Sequence, residues 1–276
     1  QRCSALRCLY VQKDIAPSFQ DMLIGAMNEL ALGDPWDLPT DIGPVITQEA
    51  RDDIAAYIDD ANKDGRLIHR CGTPDDGWFV APTLISVSGI EDIPKEVFGP
   101  VLHVATFTAD QIGDVVDAVN ATGYGLTFGL HTRIDDRVQQ IADTVHAGNI
   151  YANRNQIGAI VGSQPFGGEG LSGTGPKAGG PHYLTRFTST PVQQATATVP
   201  DQTDIAAVAD RINAMAKIPS APDATQLPGP TGELNRLSTL PRPPLLCLGP
   251  GGDAAEAQKA AVEALGGRAI AVCGIL

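Results

Sequence analysis

Two hydrophobic periodicities alternate along the first half of the chain, and no other feature limits the possible fold as strongly. Leu6 to Gln12 is a short apolar run of the kind that forms a buried strand, and Phe19, Met22, Leu23, Ala26, Met27 and Leu30 then recur at helical spacing. Ala50, Ile54, Tyr57, Ile58 and Ala61 mark a second helix, with a stop near Gly65. Gly77 to Leu84 reads as extended chain, and Val101 to Phe107 as a strand. Thr108 with Gln111 forms a capping-box signature ahead of Ile112, Val115, Val116 and Val119, the third helix. Ile134, Val138, Ile141, Ala142 and Val145 predict a fourth, with Gly148 where a left-handed helix terminus would want glycine. Strands separated by helices lie parallel, so the expected fold class is α/β with a mainly parallel, covered sheet.

Past Thr188 the pattern changes. Residues Thr188 to Val199 are rich in Thr, Gln and Val without helical periodicity, which predicts an exposed strand or flap. A helix from about Asp204 to Lys217 would present Ile205, Val208, Ile212 and Met215 on one face. Pro219 to Pro230 is rich in Pro, Ala and Gly and reads as a linker. Leu245 to Gly249, an Ala-rich helix from about Asp253 to Leu265, and Arg268 to Ile275 form one β-α-β unit that reads as incomplete at its end.

Charge and side-chain inventory exclude several classes of function. The net charge of −13, from 32 Asp+Glu against 19 Lys+Arg, opposes nucleic-acid binding, which needs a basic face to displace counterions. An anionic ligand would need a local site built against that field. Cys3, Cys8, Cys71, Cys247 and Cys273 are odd in number and lack Cys-x-x-Cys spacing, so reduced thiols in a cytoplasmic protein are expected. His69, His103, His131, His146 and His182 are equally scattered, and no metal is expected. No apolar run reaches the length of a transmembrane helix.

Three segments carry chemistry. Cys3 is a candidate nucleophile, since a cysteine attacks a carbonyl once it is ionised to the thiolate. Glu96 lies in Glu96-Val97-Phe98-Gly99-Pro100, just ahead of the Val101 to Phe107 strand. Gly158 to Gly168 is too glycine-rich for the inside of a helix or strand, and its Gly158-Ala159 pair leaves backbone N–H groups open to a small anion.

Taken together and in order, Gln1-Arg2-Cys3-Ser4, Glu96-Val97-Phe98-Gly99-Pro100 and Gln164-Pro165-Phe166-Gly167-Gly168 closely resemble the catalytic half of the aldehyde dehydrogenases. Lys177-Ala178-Gly179-Gly180-Pro181-His182-Tyr183 narrows the resemblance to the glutamate-γ-semialdehyde (pyrroline-5-carboxylate) dehydrogenase module of long bifunctional proline-utilisation proteins. The resemblance implies that Cys3 is catalytic, that Glu96 and Phe98 contact the ribose and nicotinamide of NAD, and that Ser4, Gly158 and Ala159 hold the substrate carboxylate. Phe166 would then wall the aliphatic channel. It implies a catalytic subdomain over 1–188, a flap, helix and linker over 189–226, and the start of an aldehyde-dehydrogenase-like structural domain over 227–276.

Partners implied in the same way are the substrate glutamate γ-semialdehyde, missing N-terminal domains that include an FAD-dependent proline dehydrogenase, and further copies in a homo-oligomer. The family's general base and oxyanion-hole asparagine precede the nucleophile, so this stretch alone is expected to be inactive. Gly249-Pro250-Gly251-Gly252 lacks both the full dinucleotide fingerprint and a P-loop lysine. An aldehyde dehydrogenase of another specificity and a non-catalytic assembly module are the alternatives.

Overall fold

The structure is a computed structural model that describes residues 2–188, 204–216, 223–240 and 242–272. It contains two compact units, one of residues 1–159 with 166–178, the other of 160–165 with 179–276.

The first unit is organised by a sheet of four strands, β1 (Cys8–Gln12), β2 (Leu67–Arg70), β3 (Thr83–Ser86) and β4 (Val101–Phe107), in the order β1-β4-β3-β2. β4 pairs in parallel with both β1 and β3, whereas β2 runs antiparallel to β3. Helices α1 (Ala16–Asn28) and α2 (Gln48–Lys63) cover it. Side chains alternate across a strand, so neighbours on β3 serve different layers. Ile85, with Val101 of β4, packs under Ile54, Ile58 and Ala61 of α2. Leu84, with Val104 of β4, packs with Val11 and with Met27 of α1. Burial on both faces explains why β3 and β4 read as nearly continuous apolar runs.

α2 forms where its periodicity predicts. The Thr47 hydroxyl accepts the Ala50 N–H at 3.1 Å, Glu49 and Lys63 complement the helix dipole at its two ends, and Gly65 takes the left-handed conformation at φ +72°. α1 departs from its predicted face: Phe19 and Met22 are exposed, Met22 by 77%, and Leu30 lies past the helix end. The stripe that packs is Leu23, Ile24 and Met27, narrower than the apolar set in the sequence.

A second layer follows, built from α3 (Ile112–Ala121), β5 (Tyr124–Gly125), β6 (Thr127–Leu130), α4 (Asp135–Thr144), β7 (Asn149–Ala152) and β8 (Glu169–Gly170). The Thr108–Gln111 box forms ahead of α3 as a 3-10 turn, with the Thr108 N–H donating to Gln111 Oε1 at 2.9 Å. β6 and β7 pair in parallel, and Val116, Ile141, Val145 and Ala147 pack with Phe128, Leu130 and Ile150. Gly148 does not terminate a helix in the left-handed conformation. α4 ends at Thr144, and Val145 is already extended. Gly148 is instead a close-approach glycine, because a Cβ there would overlap the Gly167 carbonyl oxygen.

In the second unit, β11 (Leu245–Cys247), α6 (Gly251–Ala264) and β12 (Ala269–Ala271) form the predicted β-α-β unit with parallel strands. α5 (Ile205–Ala216) buries Val208 against Ile270 and Val272. Ile205, expected on that face, is 62% exposed at the helix start. Asp223–Leu227, inside the segment predicted to be a linker, is strand β9 and pairs antiparallel with β10 (Asn235–Thr239). Pro228, Gly229 and Pro230 of that segment belong to the turn after β9, where Gly232 has φ +88°. The predicted flap beyond Thr188 and the end of the last strand beyond Val272 lie outside the described residues.

His103 of β4 is the buried polar group that ties this core together, at 1% exposure. Its Nδ1 lies 3.0 Å from the Arg7 carbonyl and its Nε2 2.8 Å from the Tyr57 hydroxyl. A carbonyl only accepts, so Nδ1 carries the proton and Nε2 accepts from the phenol. Burial holds the imidazole below its ordinary value of 6.5; the bond to Arg7 works against that shift and the nearby Arg66 charge adds to it. Below pH 6.5 an unfolded chain therefore takes up a proton that the folded chain refuses, and stability falls as pH falls. Urea titrations between about pH 7 and 5.5 should show this loss with a slope of at most ~1.4 kcal/mol per pH unit from this group. His103→Gln should remove that component, and an unchanged pH slope in the variant would refute the assignment.

Candidate active site

Cys3 and Ser4 occupy a turn closed by the Ala5 N–H on the Arg2 carbonyl at 3.0 Å, immediately ahead of β1. Cys3 is exposed and Ser4 is buried. Gln156 reaches this turn from the loop after β7, its Nε2 donating to the Ser4 carbonyl at 3.2 Å. The same loop continues to Gly158, whose φ of +83° favours glycine although a Cβ there would meet nothing. Among the described residues, no acceptor meets the N–H of Gly158 or Ala159.

Phe166 is half-buried and exchanges backbone hydrogen bonds with Ala178 at 3.0 and 2.8 Å. Beside it, Lys177 Nζ donates to the Gly148 carbonyl, to the Gly167 carbonyl at 3.1 Å and to Asn149 Oδ1 at 3.3 Å. Asn149 Oδ1 also accepts the Gly167 N–H at 3.1 Å. Burial lowers the Lys177 ammonium from its ordinary value, and Glu169 pushes it back up. This lysine clamps the loop that carries Phe166 onto the start of β7. Sequence reasoning used Lys177 only as part of a motif and missed the clamp. Within the second unit, buried Gln164 likewise donates to Glu233 Oε1 at 3.0 Å and accepts the Ile160 N–H at 3.1 Å.

The segment ahead of β4 is anchored by Val97, which packs on the Ile54–Ile58 cluster, and by Gly99, where a Cβ would press on Ile54. Its neighbours Glu96 and Phe98 are left exposed, Phe98 by 50%. Both meet Arg7, a residue that sequence reasoning passed over. The guanidinium forms an ion pair with Glu96 Oε1 and lies 5.2 Å from the Phe98 ring centroid. Burial lowers the Arg7 guanidinium from its ordinary value and the charge of Cys3 raises it. The structure thus brings Cys3, Ser4, Glu96 and Phe98 to one end of the first sheet and ties Ser4 to the loop of Gly158 and Ala159.

The remaining glycine-rich motif behaves differently. Gly249 has φ +93° and leads into α6, but its N–H and carbonyl are both taken by the Gln258 side chain, at 3.2 and 3.0 Å. Among the described residues, no cluster of three His, Cys, Asp or Glu is arranged to hold a metal, and no helix is long and apolar enough to cross a membrane.

Residues 1–192 match the model of the aldehyde dehydrogenase family. The chain belongs to that family. It is 42% identical to the bifunctional protein PutA of Salmonella typhimurium, over 98% of this chain and 23% of that protein. Identity to 1-pyrroline-5-carboxylate dehydrogenase 1 of Halalkalibacterium halodurans is 38%, over 67% of this chain and 36% of the relative. Among solved structures, a proline utilization A mutant from Bradyrhizobium japonicum superposes with a TM-score of 0.66 at 52% identity, covering 68% of this chain and 19% of that one. A 1-pyrroline-5-carboxylate dehydrogenase from Thermus with bound NAD superposes at 0.62 with 32% identity, over 68% and 36%. The chain therefore spans about a quarter of the length of the PutA relatives it matches.

Exposure separates the thiols. Burial, with help from Glu91, pushes the Cys8 thiol up to about 12, burial raises that of Cys71, and Cys247 is buried. Limited treatment with iodoacetamide near pH 7.5, read by peptide mass mapping, should label Cys3 first among these four, because alkylation requires accessible thiolate. Faster labelling of Cys8 or Cys71 would contradict this ordering.

Proposed function

We propose that this chain supplies the nucleophile and the substrate-carboxylate site of an NAD-dependent L-glutamate γ-semialdehyde dehydrogenase, acting in proline catabolism. The observation that carries the reading is the link from the Cys3–Ser4 turn through Gln156 to the Gly158–Ala159 loop. It puts an accessible thiol and a pair of open backbone N–H groups on one connected framework. A γ-semialdehyde has an aldehyde at one end and an amino-acid carboxylate at the other, so it needs both.

In this reading the Cys3 thiolate adds to the aldehyde carbon, and the oxyanion of the hemithioacetal is held in part by the Cys3 N–H. Bound NAD would supply the hydride acceptor, with Glu96 and Phe98 holding its ribose and nicotinamide, and the oxidised carbon would remain on Cys3 as a thioester. Water then cleaves the thioester, releasing glutamate and the free thiol. The Gly158 and Ala159 amides, with the Ser4 hydroxyl, hold the carboxylate at a fixed distance from Cys3, and Phe166 lines the chain between the two ends. Amide dipoles suit this task in an acidic protein, because they attract an anion without a net charge.

The residues ahead of β4 fit the cofactor. A carboxylate accepts at about four lone-pair positions, so the pair with Arg7 leaves room on the exposed Glu96 for ribose hydroxyls. The half-exposed Phe98 offers a flat apolar face for the nicotinamide. The names of the PutA and pyrroline-5-carboxylate dehydrogenase relatives, and the NAD in the Thermus neighbour, support this substrate and cofactor.

The wider reading is a bifunctional cytoplasmic homo-oligomer with an FAD-dependent proline dehydrogenase elsewhere in the polypeptide. In it, 1–188 serve catalysis and 227–276 begin a structural domain. No acid in this chain is assigned as general base.

In the complete protein, Cys3→Ala should leave less than about a thousandth of wild-type aldehyde oxidation while NAD binding by calorimetry stays near normal. More residual turnover than that would remove Cys3 from the mechanism. Ala159→Pro deletes one backbone N–H without adding charge, and a hydrogen bond to a charged group is worth about 1.5–3 kcal/mol. It should reduce kcat/KM for glutamate semialdehyde roughly ten- to a hundred-fold and that for pentanal much less. Equal losses for both would favour an aldehyde dehydrogenase of another specificity.

A further inference from the structure

Arg7 is held more firmly than a surface arginine needs to be. Its carbonyl accepts two hydrogen bonds from one residue, the His103 N–H at 3.0 Å and His103 Nδ1 at 3.0 Å. Its side chain is 27% exposed, pairs with Glu96 and lies over Phe98. An exposed ion pair ordinarily adds little stability, since two long side chains must be ordered to form it. Here the backbone is already fixed by a buried imidazole, and the aromatic face restricts the guanidinium further. The pair therefore contributes little to folding but defines where a half-free carboxylate points. Glu96 is 58% exposed and, without Arg7, would spread over several rotamers.

We propose that Arg7 is a positioning residue for the cofactor segment: its guanidinium presents the Glu96 carboxylate and the Phe98 ring at the sheet end that carries the Cys3 turn. The proposal rests on the reading of Glu96 and Phe98 as NAD contacts. It says that the segment is pre-ordered by a residue lying between the nucleophile's turn and β1 rather than by the cofactor alone. The planar fork matters as well as the charge, because lysine can neither engage the carboxylate with the same directionality nor lie flat over the ring.

The test is a double-mutant cycle in the complete protein that carries this chain, read by calorimetric NAD affinity and by the separate changes in KM and kcat. Arg7→Met should weaken NAD binding about ten-fold, with KM for NAD rising in parallel and kcat changing less. Arg7→Lys should restore only part of that loss. In a Glu96→Gln background, Arg7→Met should add less than about three-fold, since its effect runs through Glu96. Circular dichroism checks that each variant is folded; if Arg7→Met is not, Arg7→Lys decides, and wild-type NAD affinity in it overturns the proposal. Full additivity of the two changes, or wild-type NAD affinity in folded Arg7→Met, also overturns it. If Glu96→Gln itself leaves NAD affinity unchanged, the cofactor reading of Glu96 fails first and takes this inference with it.

Discussion

The parallel pairing of β1 with β4 is the constraint on which the candidate site depends. In a parallel pair both strands start at the same end of the sheet. Cys8 lies opposite His103, so the residues ahead of Cys8 and those ahead of Val101 emerge side by side. These are the Cys3–Ser4 turn and the Glu96–Pro100 segment, far apart in sequence. An antiparallel arrangement of the same two strands would send them to opposite edges, and no local adjustment would recover the site. His103 extends the pairing beyond the strand itself, because its N–H and its ring both reach the Arg7 carbonyl. Arg7 converts that backbone register into a side-chain arrangement through Glu96 and Phe98.

A second constraint acts on the substrate-loop side. Gly148 approaches the Gly167 carbonyl so closely that a side chain at 148 would overlap it, and the clamp that holds the two is the ammonium of Lys177. A buried ammonium carries a desolvation cost, visible in its lowered titration, which the carbonyl and amide oxygens around it offset. The result is that Phe166 and the glycines beside it belong to a braced loop. Gln156 then carries the adjoining loop to the Ser4 carbonyl. Substrate-side and nucleophile-side elements are thus joined by side-chain to backbone bonds.

Several departures from the sequence reading share one physical origin. Periodicity shows which residues are apolar, not how wide a stripe the partner will cover, so Met22 and Ile205 stand exposed on helices that were correctly located. Gly148 was read as a helix terminus because glycine frequently serves there; its reason for being glycine is the backbone at Gly167, which no local window contains. Pro219 to Pro230 was read as a linker from its proline and glycine, although Asp223–Leu227 within it is a strand and Pro228, Gly229 and Pro230 lie in the turn of a hairpin.

By itself the sequence determined the helices and the chemistry-bearing residue types: the helical periodicities, the strands around Leu9 and Val104, the Thr108 helix start, the β-α-β unit at the end, and the family resemblance carried by the motifs around Cys3, Glu96 and Phe166. The elements follow from local propensity and spacing, which short windows contain. Only the tertiary structure decided which of those residues meet. It set Cys3 exposed and Cys8 only partly so, and the Arg7 link between Glu96 and Phe98, the Gln156 bridge to Ser4 and the Lys177 clamp all join residues brought together by parallel pairing or by close approach of glycines. Such contacts depend on strand register and burial, and those are set by the packing of the whole unit rather than by any segment within it.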